Sequence, residues 1–111
     1  MSYNVYPTAV FKKCFNKLNK KYPSLKSDLQ KLITLLKERP NSGTPLGYGI
    51  YKVRISITYK SKGKSGGARV ITYLVTEDNE VYLVFIYDKS QLDTISKERI
   101  FDMLKKAGLI K

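Results

Sequence analysis

Apolar positions along the chain switch between helical and strand spacing, and the switches mark the elements. Phe11, Cys14, Phe15, Leu18 and Tyr22 recur every three or four residues, with Lys12, Lys13, Lys17, Lys20 and Lys21 between them. That spacing puts the apolar side chains on one stripe of a helix and the lysines on the remaining surface. Thr8, after Pro7, suits the cap of its N-terminus, and Asn4–Tyr6 before it reads as a short strand. Pro23 interrupts the pattern. Ser24 restarts it, with Leu25, Leu29, Leu32, Ile33 and Leu36 on one face of a second helix. The two helices make a hairpin.

Pro40, Gly43, Pro45, Gly47 and Gly49 then crowd one stretch, which reads as a loop. Beyond it the period drops to two. Tyr51, Val53, Ile55, Ile57 and Tyr59 alternate with Lys52, Arg54, Ser56 and Thr58. The first set should cover the core. The other face should present Lys52 and Arg54 side by side, about 6–7 Å apart. A second strand is predicted from Ala68 to Thr76, and Glu77-Asp78-Asn79-Glu80 supplies a hairpin turn. The third, Val81 to Tyr87, is apolar throughout, as a strand buried on both faces would be. Ser96 caps a last helix carrying Ile100, Met103, Leu104 and Ala107, and Gly108 ends it. The order is (β)ααβββα. It predicts one α+β domain over residues 1–111, a helical hairpin on an antiparallel sheet of three to four strands with a C-terminal helix.

Charge narrows the partners. Lysine and arginine total 21 against 9 acidic residues, a formal net charge of +12. Between Gly49 and Tyr73 the chain carries Lys52, Arg54, Lys60, Lys62, Lys64 and Arg69 and no acidic residue. A cationic ribbon with no local counter-charge is the footprint of a surface that meets phosphate. The longest apolar run, Val81 to Tyr87, is far too short to span a bilayer, and no leader with a small-residue cleavage site follows Met1. Cys14 is the only cysteine and histidine is absent, so a disulfide within the chain is excluded and a zinc site is not expected. The expected location is the reducing cytosol.

Gly63-Lys64-Ser65-Gly66 resembles the end of a nucleotide-binding phosphate loop, but the motif needs glycine where Thr58 stands and a helix where a strand follows. The Ser61–Gly67 stretch is a solvated hairpin turn, and the same lysines and open amides suit a phosphodiester. Arg69 is the sharper residue. It opens the strand opposite Lys52 and Arg54, and convergent cations repel unless an anion sits between them. Lys89 ends the third strand beside them. Among the tyrosines, Tyr48, Tyr51, Tyr59, Tyr73, Tyr82 and Tyr87 are either packing residues or stacking surfaces for bases, and Tyr87 lies nearest the cations. The lysines of the first helix read as a solvated face. Asp88 and Asp93 read as capping or salt-bridge groups. Acid–base chemistry falls to Lys, Tyr, a carboxylate or a partner.

KLNKKYPSLKSDL, YKVRIS, GKSGGARVITY and VFIYDKSQLDTIS, spread over nearly the whole chain, resemble the RelE/ParE superfamily of toxins from type II toxin–antitoxin systems. The nearest likeness is to the HigB-like, RelE-type messenger-RNA interferases. The resemblance implies a basic cleft that enters the ribosomal A site and cuts messenger RNA, with the ribose 2′-hydroxyl as nucleophile and neither metal nor cofactor. It implies a catalytic set of Lys52, Arg54, Arg69, Lys89 and Tyr87, with RNA-binding help from Lys60, Lys62, Lys64 and Tyr51. Lys52, its pKa lowered by neighbouring cations, would take the 2′-hydroxyl proton. Arg54 and Arg69 would hold the phosphate, and Lys89 or Tyr87 would support the leaving oxygen. Several members carry a tyrosine or histidine near the C-terminus, whereas none follows Tyr87 here. The implied partners are messenger RNA, the ribosome and an acidic or helix-turn-helix antitoxin, with the chain a monomer alone. The alternative is a non-catalytic module of the same fold, a ParE-like gyrase inhibitor or an RNA-binding protein.

Overall fold

A computed structural model describes residues 2–60 and 67–111, apart from the side chain of Lys60. Strand β1 (Asn4–Pro7) leads into helix α1 (Ala9–Lys21) and helix α2 (Leu25–Glu38). Strands β2 (Thr44–Gly47), β3 (Ile50–Ile55), β4 (Ala68–Val75) and β5 (Glu80–Asp88) follow, and helix α3 (Lys97–Lys106) closes the chain. The strands form one sheet in the order β1-β5-β4-β3-β2. The α+β class, the helical hairpin and the C-terminal helix are those expected.

The sheet is larger than expected and mixed. β2 lies inside the Pro- and Gly-rich stretch read as a loop and pairs with β3 at the edge, where Pro45 is tolerated. β1 runs parallel to β5, while the remaining pairs are antiparallel. The β2–β3 connection is tight. Gly47, Tyr48 and Gly49 take φ of 91°, 57° and 79°, so two glycines flank a tyrosine held in the left-handed region.

Local chemistry sets the helix ends. Thr8 Oγ1 accepts from Phe11 N at 3.2 Å and lies 3.1 Å from the Leu83 carbonyl it donates to, so the cap also fastens α1 to β5. Ser96 Oγ caps α3 by accepting from Arg99 N. Ser24 plays a different part. Its hydroxyl donates to Asp28 Oδ2 and accepts from Tyr59 N, while Thr58 donates to both Asp28 oxygens. Buried Asp28 thereby ties the start of α2 to the chain leaving β3.

The sheet is covered on both faces. On one, Leu25, Leu29, Leu32 and Leu36 of α2 and Phe11 and Leu18 of α1 pack with Val53, Ile55, Ile57, Val70, Val81 and Leu83. On the other, Ile100 and Leu104 of α3 join Ile50, Ile71, Val84 and Tyr87. The predicted apolar face of β3 is therefore real at Val53, Ile55 and Ile57. Tyr59 leaves it, because the strand ends at Ile55 and Tyr59 sits 62% exposed in a short 3-10 turn.

Candidate nucleic-acid site

The α3 face carries the cations where α3 does not reach. In the β3–β4 register Arg54 lies opposite Arg69, and in the β4–β5 register Arg69 lies opposite Tyr87. Opposed residues of neighbouring strands share a face, so Arg54, Arg69 and Tyr87 form one row across three strands. Strands spaced about 4.8 Å apart set the pitch of that row. Lys52 belongs to the next row, opposite Ile71, which in turn faces Phe85. Arg54 is exposed and Lys52 half-buried, whereas Arg69 keeps only 5% of its surface. Part of that burial is paired, since Arg69 Nη1 donates to the Ala68 carbonyl at 3.2 Å.

Gly67 makes the junction. A Cβ there would meet the Ile55 carbonyl oxygen at 2.0 Å, so only glycine lets the chain pass this close to the end of β3. Its own carbonyl accepts from Lys89 N at 3.1 Å. The end of β3, the start of β4 and the residue after β5 are thus held at one point, beside Arg54, Arg69 and Lys89.

Lys89 is not idle. Its ammonium donates to the Asp93 carbonyl at 2.9 Å and forms an ion pair with the Asp93 carboxylate. Lys89 holds the Asp93 carboxyl below the usual carboxylate range, and Lys52 adds to the effect through space. Tyr87 is 5% exposed, and its hydroxyl is buried with no hydrogen-bond partner among the described residues. Burial pushes the Tyr87 pKa up, Arg69 pulls against it, and Asp93 adds a smaller upward push. The ring lies 5.9 Å from that of Phe85, over which the Arg99 guanidinium sits at 5.8 Å.

Of the residues expected from sequence, Lys52, Arg54, Arg69, Tyr87 and Lys89 come together. Tyr51 does not: strand alternation turns it away from Lys52 and Arg54, and it pairs with Thr72. Lys62 and Lys64 lie outside the described residues, as does the side chain of Lys60. Asp93 and Arg99 belong to the neighbourhood without having been counted in it. The four-residue spacing from Lys89 to Asp93 was the available sign, weak because no helix was expected there. Asp88 is committed elsewhere, accepting from the Tyr22 hydroxyl at 2.7 Å and from Ser90 N and Oγ.

A basic α+β domain with a cationic row on its sheet offers a surface complementary to anions. The model of the RelE toxin family, from RelE/RelB toxin–antitoxin systems, matches residues 8–110, and the chain belongs to that family. Among solved structures it is similar to a free-state mutant of the E. coli toxin RelE, with a TM-score of 0.63 at 16% identity. The match covers 96% of this chain and 97% of that one, so the fold is shared from end to end.

Proposed function

We propose that this chain is the toxin of a toxin–antitoxin system and a metal-independent endoribonuclease, cutting messenger RNA in the ribosomal A site. The observation that carries the reading is the Arg54–Arg69–Tyr87 row with Lys52 and Lys89 at its margins. Two arginines directly opposite each other offer an anion two guanidiniums at once. A phosphodiester is such an anion, and forked guanidiniums suit it.

The reaction we propose uses these positions. Lys52 takes the proton of the ribose 2′-hydroxyl. The 2′-oxygen attacks phosphorus, Arg54 and Arg69 stabilise the added charge, and the bond to the 5′-oxygen breaks to leave a 2′,3′-cyclic phosphate. The leaving oxygen needs a proton. Burial keeps Tyr87 protonated, so at neutral pH it serves as donor rather than base. Lys89, paired with Asp93, is the second candidate.

An antitoxin of opposite charge is the natural partner for a +12 chain. Among the described residues no helix is long and apolar enough to cross a membrane, and we place the activity in the cytoplasm. Within the family, the quoted motifs favour the HigB-like branch. The test is induced expression followed by mapping of transcript 5′ ends. Cuts inside coding regions are expected, and Arg69→Ala should abolish them while the purified variant keeps a cooperative melt. Growth arrest without cuts, with inhibited gyrase supercoiling, would replace the nuclease reading by the ParE-like one.

A further inference from the structure

The lysines of α1 are left over by this site, and the structure gives two of them a place beside it. β1 pairs with β5 only from Glu80 to Leu83. Past that point the flank of β5 is covered by α1 rather than by a strand, and the two elements leave a cleft of about 360 Å³. Cys14, Lys17, Lys21, Tyr87, Gln91 and Leu92 line it. The row Arg54–Arg69–Tyr87 crosses β3, β4 and β5 in order and meets this cleft at Tyr87, which belongs to both. Lys17 and Lys21 stand one helical turn apart, about 6 Å along the axis, on the wall that α1 gives the cleft.

α1 contains no acidic residue. The one carboxylate of the cleft, Asp88, has its oxygens engaged by Tyr22 and Ser90. Cys14 at the cleft wall feels Lys17, Lys13 and Arg99 through space, all drawing its thiol pKa down against the larger upward push of burial. The mouth is therefore cationic, and the floor is apolar and aromatic. That is the chemistry of a nucleotide site, with phosphate at the lysines and a flat base within.

We propose that the cleft between α1 and β5 binds one nucleotide of the RNA strand that is cut, next to the nucleotide held by the arginine row. Its base enters between Cys14, Tyr87 and Leu92, and its phosphate meets Lys17 and Lys21. The proposal rests on the nuclease reading for the identity of the strand, but not for the existence of the site. It gives α1 a share in binding that neither the row nor the ribbon from Gly49 to Tyr73 supplies.

Cys14, the only cysteine, is a built-in reporter. Its alkylation rate is measured with an RNA carrying a 2′-deoxy group at the cut position, both free and on programmed ribosomes. Ribosomes without messenger RNA are the control. At RNA ten times above its Kd, alkylation should slow about tenfold, as occupancy requires. Lys17→Gln/Lys21→Gln should weaken that protection and make the salt dependence of binding shallower by about 0.7 per lysine lost. Lys12→Gln/Lys20→Gln, equal in charge and outside the cleft, should keep the protection. Unchanged alkylation in both RNA arms overturns the site. Equal protection by ribosomes lacking messenger RNA overturns it too, assigning the cleft to a ribosomal component. Protection by this RNA, with no cleavage of its all-ribose counterpart on the same programmed ribosomes, would sink the nuclease reading and leave the nucleotide site standing.

Discussion

Replacing Tyr87 by phenylalanine separates what this residue does for the fold from what it does for the reaction. The side chain is 5% exposed and its hydroxyl has no hydrogen-bond partner among the described residues. A buried polar group left unpaired costs roughly 1–3 kcal/mol. Tyr87→Phe removes that cost and keeps the ring beside Phe85. The variant should be more stable by about 1 kcal/mol. At about 2.1 cal/mol/K of unfolding entropy per residue, that is a Tm increase of about 4 °C for a chain of 111 residues. If the hydroxyl protonates the leaving oxygen, cleavage of a defined RNA should fall at least about a hundredfold. Urea melts and single-turnover cleavage measured on the same preparation read both effects. A variant less stable than the parent would show that the hydroxyl is satisfied in the folded protein. Cleavage at the parental rate would remove Tyr87 from the chemistry.

Arg54→Gln relieves the opposition of Arg54 and Arg69, and should stabilise the free protein by about 0.2–1 kcal/mol in low salt. The gain should vanish on adding phosphate, and a thermal melt series in phosphate against chloride measures it. Gly67→Ala drives a methyl group into the Ile55 carbonyl at 2.0 Å. It should lower stability and cleavage together, read by urea melts and RNA assays, whereas Gly47→Ala meets no atom and strains only its own φ of 91°. The Tyr82 hydroxyl donates to Glu80 Oε1 at 2.7 Å, and its pKa is pushed up to about 12, chiefly by that bond. Its folded pKa lies above the unfolded value, so its stabilisation is complete below about pH 10 and is lost as pH rises toward 12. Tyr82→Phe should flatten the fall in stability across that window, followed by urea midpoints at several pH values.

How far the sequence carried depended on whether a pattern was local. Leu25, Leu29, Leu32 and Leu36 announce α2 because a stripe is written within the helix itself, and all four are buried. Thr8 and Ser96 announce their helices for the same reason. β2 was illegible because Pro45 and Gly47 leave Leu46 as its single apolar residue. β1 was legible as a strand, but its parallel partner lies on the far side of the chain. At the site, charge and alternation brought Lys52, Arg54 and Arg69 onto one surface. Neither told that Arg69 is buried, because that depends on its central strand having neighbours on both sides. Lys89 was legible as a cation and Asp93 as a capping or salt-bridge group, but not as partners, since a loop from β5 to α3 returns Asp93 to Lys89.

The parallel pairing of β1 has a consequence for when the cationic row is assembled. Residues 4–7 find their partners only in residues 80–83, and Thr8 secures α1 by donating to Leu83. Such long closures are late events in folding, and synthesis adds only about 5–20 residues per second. Residues 4–7 must therefore wait for residues 80–83. A chain that stops between β4 and β5 holds Lys52, Arg54 and Arg69 but has no strand to complete their row and no seat for residues 4–7. Topology alone keeps the growing polypeptide without a finished sheet until residues 80–83 have been made.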